Sequence, residues 1–156
     1  MKLFKDKSEK YTLEVNAYLQ AYLPKKEASP QVLHEAMHYA VMNGGKRIRP
    51  LLTYASAEAL DIAPLLLTPA AAAIELLHCF SLVHDDLPAI DDDDLRRGKL
   101  SLHKAFNEGI AILAADAMQS LAFHVLANDA SLDQKNDIRT SLSNLIAEAS
   151  GTSGMT

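Results

Sequence analysis

One junction sets the terms for any fold this chain adopts. The run from Ala70 to Asp86 is apolar on nearly every helical face, and it passes without a linker into DDLPAIDDDDLRRG, residues 85–98. A helix apolar all round belongs in a core. Pro88 stops or kinks it, because proline has no amide donor and biases Leu87 away from helix. Asp85 and Asp86 therefore fall at a helix C-terminus, where the macrodipole is itself negative and each carboxylate costs about 0.3–1 kcal/mol unless a cation offsets it. Six carboxylates (Asp85, Asp86, Asp91, Asp92, Asp93, Asp94) crowd the segment, and Arg96 and Arg97 alone do not neutralise them. Oxygen-only donors with no neighbouring cysteine suit a hard ion such as Mg²⁺, which keeps waters and is usually shared with substrate phosphates. Adjacent arginines then fit as a phosphate clamp, since a guanidinium grips phosphate oxygens as a bidentate fork. The alternatives are an EF-hand calcium loop, weakened by the missing ligand spacing, turn glycine and terminal Glu, and a plain solvated acidic loop, which sits poorly against the most hydrophobic helix in the chain.

Helical periodicity runs through the rest of the chain, with apolar residues three and four apart and no strict alternation over strand length. The fold class is all-α. A first helix is predicted from about Ser8 to Leu23, with Leu13, Ala17 and Tyr22 among its inner positions and Pro24 closing it. Ser29-Pro30 reads as a cap followed by proline at the first helical position, opening a helix that reaches about Asn43. Gly44-Gly45 ends that helix, and a third spans Ile48 to Leu60. Thr68-Pro69 repeats the cap-plus-proline signal before the core helix. A short turn is expected at His103 to Glu108, a helix at Gly109 to Ala127, a turn at Asn128 to Ser131 and an amphipathic helix at Leu132 to Ala149.

The 156 residues suffice for one domain, residues 1–156, burying roughly 70% of the unfolded surface. A hydrophobic content of 49% against 22% charged residues suits a globular chain. The formal charge of −5, with no basic stripe, removes nucleic acid as an expected partner. The single cysteine, Cys79, excludes an internal disulfide and a cysteine-based zinc site, and its apolar helical setting makes it a small buried hydrophobe. Residues 1–20 carry no secretory signal, so a cytoplasmic location is expected. Asp116, Gln119 and His124 interrupt the apolar window Ile110 to Ala127, which reads as a buried helix with no membrane span.

A second constellation is NGGKRIRP, residues 43–50. Two glycines expose backbone amides at a helix junction, and Lys46, Arg47 and Arg49 set three cations around them. The alternative is a glycine C-cap followed by charges favourable to a helix end. His78 and His84 stand six apart on the core helix, a spacing unsuited to zinc, and each is either a satisfied core histidine or a donor to phosphate. His103 and Lys104 either reach the same anion or form a solvated helix start. Asp116 and Gln119 need partners if buried, and a shared polar cavity would supply them.

These motifs together, DDLPAIDDDDLRRGK preceded by ELLHCFSLVH and NGGKRIRP and followed by HKAFNEGIAILAADAMQSLAF, closely resemble the trans-isoprenyl diphosphate synthases, and among them the bacterial-type farnesyl diphosphate synthases. The likeness runs from about Val32 to the last residue. It implies the antiparallel all-α bundle of isoprenoid synthases and a Mg²⁺-dependent prenyltransferase. The reaction implied is condensation of isopentenyl diphosphate with an allylic diphosphate: pyrophosphate departs, the isopentenyl double bond attacks the allylic carbocation, and a proton is lost. It places the first aspartate-rich motif on Asp85, Asp86 and Asp91, with Asp85 and Asp91 holding Mg²⁺ and Asp86 supporting. Arg96 would bind the allylic diphosphate, and Lys46, Arg49, His78 and Arg97 the isopentenyl diphosphate. Phe80 and Ser81, five and four positions before the first Asp, would limit product length and favour a C15 product. A cytoplasmic homodimer is implied as well. Ala115 stands where many members have Gly. Members are far longer and carry a second aspartate-rich motif, so the chain reads as a truncated N-terminal portion, expected to be inactive alone. The alternatives are a geranylgeranyl diphosphate synthase and a non-catalytic helical module that binds Mg²⁺ and diphosphate or serves as a partner subunit.

Overall fold

A computed structural model describes residues 2–132 and 136–155. Among these, seven α-helices follow one another: α1 (Lys2–Tyr22), α2 (Gln31–Met42), α3 (Ile48–Ala59), α4 (Thr68–Asp85), α5 (Leu102–Ala105), α6 (Glu108–Asn128) and α7 (Asn136–Ser150). Short 3₁₀ turns at Pro64–Leu67 and Ala130–Leu132 lead into α4 and out of α6. The first residues of the helix expected from Leu132, positions 133–135, lie outside the described residues. The all-α expectation holds, with one addition. Strands β1 (Leu95–Arg96) and β2 (Lys99–Leu100) form an antiparallel hairpin, with Leu95 opposite Leu100 and Arg96 opposite Lys99.

The apolar run makes α4 the central helix. Ala71, Ala72, Ala73 and Leu76 are wholly buried, and α4 packs chiefly on α6, then on α3 and α1. Alanines set the closeness of that packing from the α6 side: Ala111, Ala114, Ala115 and Ala122 are fully buried. Both helices are long and apolar enough to cross a membrane by length and composition alone. Burial accounts for the apolarity of α4, whereas α6 is buried along one face and leaves Ile112 and Leu113 exposed. Cys79 is buried as expected, and loss of water around its thiol pushes the pKa up to about 12.

Three local readings are corrected. In α1 the inward stripe is Tyr11, Val15 and Leu19, spaced by four, while Leu13 is 71% exposed and Ala17 is also exposed. Leu13 points outward because the two turns that meet α3 and α4 follow the tyrosine and valine register. At α2 the cap position is Pro30 rather than Ser29, with no side-chain cap bond. Thr68 lies inside α4; its hydroxyl donates to the Leu65 carbonyl at 2.9 Å and accepts from Tyr54 at 3.2 Å, tying α3 to the start of α4 instead of capping it.

Candidate active site

The acidic segment folds back onto the end of α4. The Leu87 amide donates to the His84 carbonyl at 3.1 Å, and the Asp91 amide donates to the Asp85 carbonyl at 2.9 Å. That second bond brings the first and third aspartates of the motif side by side. Asp92 takes left-handed backbone at φ 52 to complete the reversal.

The six carboxylates then divide into two groups. Asp86 continues the buried face of α4 set by Cys79 and Val83 and is 2% exposed. A buried carboxylate needs a partner, and Arg96 supplies it: Nε donates to both carboxylate oxygens at 2.9 and 3.1 Å, and Nη2 also donates to Oδ1. The hydrogen bond and charge of Asp86 push the Arg96 pKa up. Arg96 Nη2 reaches Asp93 as well, at 3.2 Å. Lys104 pairs with Asp94 at 2.8 Å and approaches Asp92 at 3.9 Å. Asp85 and Asp91 are left. Both are exposed, and neither has an ion-pair partner among the described residues. Lys104 thus joins Arg96 as a second internal neutraliser, in place of Arg97, which turns to the Gly44 carbonyl. His103, also considered as an anion contact, is buried, with Nδ1 3.2 Å from the Ser101 hydroxyl.

Two adjacent, unpaired, oxygen-only carboxylates fit Mg²⁺. Among the described residues no three His, Cys, Asp or Glu side chains converge into a ready-made metal cage. Mg²⁺ takes one or two carboxylates and completes its shell with waters and phosphate oxygens.

Away from the acidic turn, a cleft of about 500 Å³ opens where the α2–α3 loop, α4 and the hairpin tip meet. Lys46, Arg49, His78 and Arg97 all line it. They come from three separate parts of the sequence, and Lys46, Arg49 and Arg97 are exposed. Arg97 reaches the cleft because Arg97-Gly98 is a two-residue hairpin turn with φ 55 and 78, the double positive φ of a type I′ turn. Its Nη1 donates to the Gly44 carbonyl. Burial, followed by the nearby positive charge of Arg49, and against the opposing charge of Glu75, lowers the His78 pKa from 6.5; Arg97 and Arg47 push the same way. A neutral imidazole among cations can donate one N–H to an anion without adding charge.

Arg47 and Glu75 lie in the floor of the same cleft, but the Arg47 guanidinium is already committed. Arg47 is 3% exposed, with Nη1 on Glu75 Oε1 at 2.8 Å, Nη2 on the Val41 carbonyl at 2.7 Å and Nε on Asn16 Oδ1 at 2.8 Å. All three cations expected around the glycines border the cleft, but only the exposed Lys46 and Arg49 are free to meet an anion, and the buried middle one fastens the loop to α4 and α1. Nothing local in KRIR distinguishes them. The burial of Asp86 did carry a signal, the 79–83–86 spacing. His84 sits beside Asp85 with Nε2 3.8 Å from Asp116 Oδ1 on α6, and its ring lies 4.6 Å from Phe80. Asp116 is exposed there rather than enclosed in a polar cavity. Phe80 and Ser81 are half-buried, and the Ser81 hydroxyl donates to the His78 carbonyl at 3.0 Å.

Comparison with known proteins identifies the family. The polyprenyl synthetase family model matches residues 30–152. The farnesyl diphosphate synthase of Haemophilus influenzae is 41% identical over 152 residues, covering 97% of this chain and 51% of the relative. That of Escherichia coli is 48% identical over 122 residues, covering 78% of this chain and 40% of the relative. The chain thus spans about half the length of the curated relatives it matches. A crystal structure of a geranyltransferase from Legionella pneumophila superposes with a TM-score of 0.91 at 44% identity, covering 99% of this chain and 54% of that one. An FPP/GFPP synthase structure from Zymomonas mobilis also gives 0.91, at 39% identity, with coverages of 97% and 54%. With the motif geometry and these matches in agreement, the chain belongs to the polyprenyl synthetase family.

Proposed function

We propose that this chain supplies the first aspartate wall and the isopentenyl diphosphate cleft of a prenyltransferase that makes farnesyl diphosphate from isopentenyl and allylic diphosphates, as a cytoplasmic homodimer. The observation that carries the reading is the convergence of Lys46, Arg49, His78 and Arg97 on one cleft of about 500 Å³, next to a helix end bearing two unpaired aspartates. His78 and Asp85 are seven residues apart on α4, roughly 10 Å along the axis, which gives two diphosphates separate anchors with their carbon chains between them.

Asp85 and Asp91 would hold Mg²⁺, which would supply positive charge to offset that of a diphosphate leaving group. Lys46, Arg49 and Arg97 grip the isopentenyl diphosphate, and neutral His78 donates an N–H to one of its oxygens. Asp86 holds the Arg96 guanidinium against the end of α4, where it adds positive charge on the side of the departing allylic diphosphate. Groups fixed before the reaction begins need not reorganise as charge develops on the leaving oxygens. Phe80, on α4 with its ring against His84, would limit the length of the growing chain.

The gene product that carries this chain, incubated with Mg²⁺, geranyl diphosphate and radiolabelled isopentenyl diphosphate, should yield a C15 product, and Phe80→Ala should lengthen it. No label in any prenyl product would sink the proposal. A C20 product from the unmodified protein would transfer the reading to geranylgeranyl diphosphate synthesis.

A further inference from the structure

We infer that Gly45 is a positioning residue for Arg97: its missing side chain is the seat on which the Arg97 guanidinium rests, and any β-carbon there drives the cation out of the cleft. The inference rests on the proposed diphosphate cleft and adds a residue to it.

A Cβ built on Gly45 would lie 2.6 Å from Arg97 Cζ, 2.6 Å from Nη1 and 2.9 Å from Nη2. The guanidinium therefore lies directly over the glycine, with Nη1 bonded to the neighbouring Gly44 carbonyl. No backbone atom stands that close, so the collision is with the free end of a flexible side chain. Such a collision is relieved by moving the side chain rather than by unfolding the loop. The consequence of substitution is a displaced cation. The two positions are 52 residues apart, and this seat is where the α2–α3 loop meets the hairpin tip. Because Arg97 is held at φ 55 in the tight turn, its side chain leaves the hairpin in a set direction.

Gly44 provides the comparison. It also has left-handed backbone, φ 82 against 122 for Gly45, yet a Cβ there meets nothing within 4 Å. Gly44→Ala imposes conformational strain without the collision, whereas Gly45→Ala imposes both.

The test is a double-mutant cycle read by calorimetric titration of inorganic pyrophosphate into the purified protein, with thermal melts of every variant. Arg97→Ala and Gly45→Ala should each weaken pyrophosphate binding by ~10-fold, and the double variant should be no weaker than either, as for two changes that remove the same interaction. Gly44→Ala should lose less stability than Gly45→Ala and less than ~3-fold in affinity, since strain from a left-handed residue is local to the backbone. Independent losses that multiply to ~100-fold in the double variant would overturn the inference. So would equal affinity losses for Gly44→Ala and Gly45→Ala. If Gly45→Ala melts too low for titration, the melts decide: the seat predicts that Gly45→Ala costs fewer degrees in the Arg97→Ala background, and an equal cost in both refutes it. Failure of the unmodified protein to bind pyrophosphate would count against the proposed cleft, and the melting cycle would still judge the seat.

Discussion

Arg47 has the same charge as its neighbours and the opposite role. Its guanidinium and the Glu75 carboxylate, each side chain about 2% exposed, form a buried pair that stabilises mainly by preventing either charge from being left alone. Arg47→Met should therefore cost about 3–5 kcal/mol in urea unfolding, while Arg47→Met combined with Glu75→Leu should recover most of that loss. His78 gives a residue-scale effect of a different kind. Its pKa is lowered in the fold, so as pH falls below 6.5 the unfolded chain takes up a proton before the folded one does. Stability should fall with pH from 6.5 down to the folded pKa and level off below it. Thermal melts across that window should show the slope, and His78→Gln should remove it.

At the scale of elements, the α4–α6 contact depends on small side chains. Ala115 is fully buried in α6, so Ala115→Leu should overpack the interface by about 1–3 kcal/mol, seen as a lower urea midpoint with unchanged slope. The six longer helices were legible because each carries at least three turns of periodic sequence. Phase was less so: the α1 stripe 11–15–19 contains a tyrosine, and Leu13, the more apolar residue, lies off it. The hairpin escaped notice because strands of two residues carry no periodicity, and its one cue was the Arg97-Gly98 pair. The aspartates and the cleft cations were legible as a set. Their division was not, because whether Arg47 faces Glu75 or Arg96 faces Asp86 is decided by partners 28 and 10 residues distant.

Across the whole molecule, the accessible surface of 8931 Å² exceeds the roughly 7,700 Å² expected of a compact monomer of this size. Part of the excess is apolar: Leu52, Leu113 and Leu145 are 62, 56 and 64% exposed, and Ile112 is 41% exposed. Surface of this kind favours association. The 156-residue chain should bind a hydrophobic dye and elute above monomer mass in light-scattering chromatography; a dye-silent monomer would contradict this. The first helix bears on where this unit begins. The family match starts at residue 30, yet Val15 and Leu19 lie in the same core as Leu76 and Met118, Asn16 holds Arg47, and the Tyr18 and Tyr22 hydroxyls donate to Asp129 at 2.5 and 2.8 Å. A boundary drawn at residue 30 would cut through the interior and strip away the helix that closes one side of the core, a helix within reach of relatives that align over 97% of this chain.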